Sequence, residues 1–254
     1  MNGALLLLAV LADFPGCQPV GTERILDCKK GAERFAVVLP AAFTTHRKWP
    51  ALLILHGSGR NHMTLIQDPG TRESPLRSKS VLILPDGGRS WWRDQAKVLD
   101  VLDWVSRQLN LDQGRIGCAG WSMGGYGSLR MVTDHPDRFA LWGSMIGLVD
   151  YPNLNYPEGE NYPVSPVFGN PDQWPAANPI KDVDRLRGKI IWFATADQAF
   201  DAAMNRELDR VLSEKKIPHT FETIKGKHDF AVVSELLPKL LEFFDRSMQR
   251  SSVQ

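Results

Sequence analysis

From about residue 33 onward the chain alternates short β-rich runs, most of them continuously apolar, with longer stretches in which apolar positions recur every three or four residues. The runs are "RFAVVLP", "ALLILHG", "SVLILPDG", "RIGCAG", "ALWGSMIG", "KIIWFATAD" and "HTFETIKG". A strand with no polar face is covered on both sides, so the continuously apolar runs predict the central strands of a mostly parallel sheet and the remainder its other strands. Between them, "QAKVLDVLDWVSRQLN" places Val98, Val101, Leu102, Val105 and Leu109 along one helical stripe. "VSELLPKLLEFFDRSM" does the same near the C-terminus, with Pro238 marking a kink or a first turn. The alternation predicts an α/β fold: a mostly parallel central sheet flanked by helices on both faces.

One segment breaks this rhythm. Residues 150–178 carry six prolines with tyrosines, asparagines and glycines between them, and show neither a strand nor a helix period. They read as an inserted loop, either a cap over a pocket or a decorated connection.

Composition narrows the function. The chain has 254 residues, 43% of them hydrophobic and 23% charged, enough apolar material for one sizeable core. A net charge of +1, without runs of like charge, gives no pull toward nucleic acid or an anionic membrane; small molecules are the expected partners. The longest apolar run, "GALLLLAVLA", is too short for a bilayer span but suits the core of an export signal, although no basic residue precedes it. Residues 1–20 are therefore read as a leader or N-terminal extension, and 21–254 as a single domain. Cys17 and Cys28 are close enough in sequence for one small disulfide loop if the chain is exported. Cys118, inside an apolar run, reads as a buried core residue.

The stretch "AGWSMGGYG" carries the chemistry. It follows the run "RIGCA" and precedes a helical pattern, so Ser122 stands at a strand-to-helix turn. Such a turn forces a strained backbone on the serine and lifts its hydroxyl above the sheet edge. Gly120 and Gly124 leave room for neighbouring elements to approach, and Gly125 for the helix to pack on the sheet. The Met123 amide then points at any oxyanion formed nearby.

A serine hydroxyl is a weak nucleophile at neutral pH and needs a histidine base steadied by a carboxylate, in the chain order serine, acid, histidine. His228, in the loop after "TFETI" and before the last helix, is the expected base; His219 lies within a strand. For the acid, Asp197 directly ends "KIIWFATAD", whereas Asp201 is expected to cap or begin the next helix. "LLILHGSGRNH" supplies the second oxyanion donor, the Ser58 amide, with His56 read as structural. Trp91 and Trp92, in the loop after "SVLILPDG", either wall the substrate pocket or pack in the core.

These motifs, with "LILPDGGRSWWRD", "FGNPDQWPAANPI" and "KGKHDF", resemble the α/β-hydrolase superfamily. Within it they resemble the esterase D or "Putative esterase" family, which includes feruloyl esterases, S-formylglutathione hydrolases and polyhydroxybutyrate depolymerase-like esterases. The resemblance implies a serine carboxylesterase of the α/β-hydrolase fold, acting on small or aromatic esters. It implies Ser122, Asp197 and His228 as triad, Ser58 and Met123 as oxyanion donors, and no metal or cofactor. An acyltransferase would use the same residues, and a non-catalytic binding module on this fold is the rival from another class.

Overall fold

The computed structural model describes residues 14–21, 24–153 and 163–250; the apolar run at 3–12, and the leader expectation resting on it, lie outside them. Nine strands form one sheet: β1 (Cys17–Pro19), β2 (Ile25–Lys30), β3 (Glu33–Val38), β4 (Trp49–Leu55), β5 (Val81–Pro85), β6 (Leu111–Trp121), β7 (Leu141–Met145), β8 (Ile190–Ala196) and β9 (Thr220–Ile224). Their order across the sheet is β1-β2-β3-β5-β4-β6-β7-β8-β9. The pairs β1–β2, β2–β3 and β3–β5 are antiparallel, and from β5 through β9 every pairing is parallel.

The long helices α1 (Gln95–Leu109), α2 (Met123–Asp134), α3 (Ala202–Glu214) and α4 (Phe230–Arg250) cover the sheet. Alternate residues of each central strand feed opposite faces. Leu53, Leu55 and Cys118 join Val101, Leu102, Leu129 and Leu208 from α1, α2 and α3. Leu52, Ile54 and Ala119 join Leu236, Leu240 and Phe244 from α4. Both faces are thus buried, which is why the strands read as unbroken apolar runs. α4 begins at Phe230 and runs through Pro238, so that proline neither starts nor ends the helix.

The strands β1 and β2 extend the sheet beyond the first apolar run. Phe14 is buried, and Cys17 and Cys28, facing each other across the β1–β2 pair, are joined by a disulfide. The part of the N-terminal stretch from Phe14 to Pro19 therefore belongs to the sheet and its core. Edge strands are short and partly solvated, so their apolar signal is weak in a sequence.

The described part of residues 150–178 is made of single turns, at Pro166–Phe168, Pro171–Gln173 and Trp174–Ala177. Its two ends are tied together where Asn178 Nδ2 donates to Asp150 Oδ1 at 2.5 Å.

Position follows from the order of the strands. β4 leads to β5 on one side while β6 pairs on its other side, so the connections diverge at the β4–β6 boundary. In a parallel sheet a crevice opens at the carboxyl ends of strands at such a point. Here those ends are Leu55, running into His56, Gly57 and Ser58, and Trp121, running into Ser122.

Candidate active site

Ser122 joins β6 to α2 with φ 55° and ψ −122°. A non-glycine residue in so sparsely populated a region costs of order 1–3 kcal/mol and persists only if its surroundings fix it. They do: Ser122 N donates to Met145 O, and Ser122 O accepts from the amides of Gly125, Tyr126 and Leu148. The glycines permit this packing. A Cβ on Gly124 would lie 2.0 Å from Leu55 O, one on Gly120 2.2 Å from Gly124 O, and one on Gly125 2.5 Å from the Gly147 Cα. The first turn of α2 can therefore press against the end of β4, setting the serine beside the Gly57–Ser58 turn.

His228 lies between β9 and α4. Its Nε2 is 2.8 Å from Ser122 Oγ and its Nδ1 is 2.6 Å from Asp201 Oδ1. With the Nδ1 proton directed at the carboxylate, Nε2 is left as acceptor for the serine hydroxyl. The imidazole is further held by Phe200, stacked on it with centroids 4.2 Å apart.

The acid beside His228 is Asp201, not Asp197, and the expectation for Asp197 is corrected accordingly. Asp197 is exposed and its Oδ1 accepts from the Gly226 amide at 3.0 Å. Asp201 is fully buried, and besides His228 it takes bonds from Thr195 Oγ1 at 2.7 Å and Asn205 Nδ2 at 2.9 Å, both to Oδ2. It does precede α3, but its side chain makes no capping bond to that helix. A buried carboxylate requires such donors, and the turn from Ala196 to Ala202 swings Asp201 back beneath the histidine to find them. Thr195 and Asn205 were not singled out in the sequence; an amide four residues after the aspartate on the same helix was the one available signal.

The cleft at Ser122 has a volume of about 200 Å3. Trp121, Ile146, Phe230 and Val233 give it an apolar wall, while Ser58, Arg60 and Asp229 line its polar part. Ile146, a β-branched residue, has φ 42°, a second strained backbone position at this cleft. Met123 is the first residue of α2, where helical amides have no intrahelical partner. Among the described residues, none of 150–153 or 163–178 lines this cleft, and neither does Trp91 or Trp92.

Both tryptophans are buried and pack against neighbouring rings. Trp91 stacks on Tyr151 with centroids 4.7 Å apart and meets Phe168 and Tyr126 edge-on. Trp92 fills the space left by Gly87 and Gly127, where an added Cβ would fall 2.5 Å from its ring, and its Nε1 donates to His56 O. Among the described residues, Trp121 and Phe230 are the tryptophan and phenylalanine rings facing the cleft.

His56 is buried below the β4 turn. Its Nδ1 donates to Gly57 O at 2.8 Å and its Nε2 accepts from the Gly87 amide at 3.1 Å. Burial holds its pKa below the ordinary histidine value, against the opposing pull of its hydrogen bond to Gly57 and of Asp86. The neutral ring ties the β4 turn to the β5 turn. His219 pairs with Asp209 and lies apart from the serine. No group of metal-ligating side chains, and no helix long and apolar enough to cross a membrane, occurs among the described residues.

Comparison with known proteins agrees with this architecture. The profile of the family described as "Putative esterase" matches residues 30–244. An esterase of Mycobacterium tuberculosis is 25% identical over 238 residues, covering 76% of this chain and 52% of its own. The chain thus spans about half the length of the curated relatives it matches. Among solved structures, a ferulic acid esterase superposes with a TM-score of 0.70 at 20% identity, over 84% of this chain and 92% of its own. A fluorophosphonate-binding serine hydrolase of Staphylococcus aureus gives 0.68 at 20% identity, over 87% and 96%. The sheet order and these superpositions are those of the α/β-hydrolase fold, and the chain belongs to the "Putative esterase" family.

Proposed function

We propose that the chain is a serine carboxylesterase that forms an acyl-enzyme on Ser122. The observation that carries this reading is the unbroken sequence of hydrogen-bond distances from Ser122 Oγ through His228 to Asp201. As the ester carbonyl is attacked, the Ser122 proton passes to His228 Nε2 and the new oxyanion takes hydrogen bonds from the Ser58 and Met123 amides. Collapse of this intermediate breaks the ester C–O bond, and His228 gives its proton to the departing alcohol. A water then attacks the acyl-enzyme, His228 again takes the proton, and the acid leaves as Ser122 regains its hydrogen. Asp201 keeps the imidazole in the required tautomer and stabilises its charge.

The cleft volume of about 200 Å3 lies below the roughly 300–1,000 Å3 of pockets that take drug-sized ligands, which supports a small acyl or alcohol group. The test is hydrolysis of p-nitrophenyl esters from acetate to octanoate, with methyl ferulate, by the protein and by Ser122→Ala. Rates that fall with chain length and vanish in the variant support the reading. Equal rates in both proteins would remove Ser122 from the role of nucleophile.

A further inference from the structure

The polar side of the cleft holds a cation that the mechanism does not use. Arg60 follows Ser58 by two residues, and its amide closes a turn onto Gly57 O at 3.3 Å, so its backbone is fixed to the same turn as the Ser58 amide. Its guanidinium carbon sits 4.8 Å from the centre of the Phe230 ring. Among the described residues it forms no ion pair. An aromatic face orients a guanidinium without neutralising it, and leaves its N–H groups able to grip a carboxylate.

Asp229, the other charged residue lining the cleft among the described residues, is differently placed. Its Oδ1 accepts the Val232 amide at 3.0 Å in the first turn of α4, a helix of 21 residues. The positive end of the helix offsets that carboxylate. His228 must be neutral to serve as base. Among the described residues lining the cleft, Arg60 is therefore the cation held without an acidic partner.

We infer that this cleft selects esters bearing an anionic group, such as a carboxylate, within a few bonds of the scissile carbonyl, and that Arg60 is the residue that binds the anion. The inference rests on the acyl-enzyme reading of Ser122 and adds a substrate class to it. The small cleft places a bound ester's neighbouring atoms within reach of the guanidinium, and a carboxylate accepts its paired N–H groups in a bidentate fashion.

Two matched pairs of esters test it. Mono-(p-nitrophenyl) glutarate against p-nitrophenyl pentanoate puts the charge on the acyl side; 4-acetoxybenzoate against its methyl ester puts it on the alcohol side. The readout is the anionic-to-neutral ratio of kcat/KM for the protein, Arg60→Gln and Arg60→Lys. In one pair the ratio should fall about two- to fivefold in Arg60→Gln, and less in Arg60→Lys. The difference should shrink as salt is raised and lie in KM more than in kcat. The pair that responds identifies the side of the ester that carries the anion. Ratios identical in the protein and Arg60→Gln for both pairs, with hydrolysis still abolished by Ser122→Ala, would overturn the anion selectivity and leave the esterase reading standing. No hydrolysis of any of the four esters would overturn both.

Discussion

Asp201 Oδ1 stands 2.6 Å from His228 Nδ1, although four residues separate this aspartate from the end of the strand that delivers it. The nearer aspartate, Asp197, instead fastens the β9 turn through the Gly226 amide.

Exchange of the two aspartates separates their roles. Asp201→Asn leaves the size of the side chain intact but removes the acceptor that fixes the histidine tautomer, and kcat for p-nitrophenyl acetate should drop by about 10⁴. Asp197→Asn retains an oxygen for Gly226 and should keep kcat near that of the parent. Melting curves of both variants confirm that the assay reads folded protein. A large loss in Asp197→Asn with a mild one in Asp201→Asn would reverse the assignment.

The close approach of α2 to β4 makes Gly124 irreplaceable. A Cβ there would meet the backbone oxygen of Leu55 at 2.0 Å, which no side-chain rotation relieves, so Gly124→Ala should destabilise the fold by about 3 kcal/mol as read from urea unfolding. Gly188, with φ 78° and open space around it, is the contrast: Gly188→Ala suffers only left-handed strain, about 1 kcal/mol. Similar losses at the two sites would contradict the packing account.

Stability should fall as the solution is acidified below pH 6.5, partly because of His56. Burial lowers its pKa from 6.5, so between the lowered value and 6.5 the unfolded chain binds a proton that the native ring does not. That uptake favours unfolding; above pH 6.5 both states are neutral there and the full contribution of the ring is present. Protonation would also cost Nε2 its bond from the Gly87 amide. His56→Gln removes the titration, and the gap in urea midpoint between pH 7.5 and 5.5 should narrow. An undiminished gap would assign the acid sensitivity elsewhere.

The disulfide between Cys17 and Cys28 closes a loop with a sequence separation of 11. Cross-linking a loop of that size restricts the unfolded chain by about 2–3 kcal/mol. The Cys17→Ser, Cys28→Ser double variant should lose that much stability while its esterase activity at 25 °C is retained, since β1 and β2 lie at the sheet edge remote in order from β6. Unchanged stability, measured by urea unfolding without reductant, would show that the link contributes little.

What the sequence by itself determined is what local chemistry determines. Short apolar runs bounded by turn residues read as strands, so β3 to β9 and the helices between them were legible; β4 to β8 are the parallel strands buried on both faces, whereas β3 pairs antiparallel and β9 is a half-exposed edge strand. A serine between glycines at a strand-to-helix turn is similarly local: the steric demand of the turn selects Gly120 and Gly124, and the identity of Ser122 as the residue of interest follows. His228 was legible because it alone among the downstream histidines sits in a loop at the right end of the sheet. Tertiary structure decided the rest. Which of two aspartates meets the histidine depends on how the chain turns after β8 and on the donors, Thr195 and Asn205, that make burial of a carboxylate tolerable. Which aromatic rings face the cleft depends on packing: Trp91 and Trp92 fill holes beside glycines and tyrosines, while Trp121 and Phe230 are left at the opening. These outcomes arise from contacts between residues far apart in the chain, and no pattern along a single stretch encodes them.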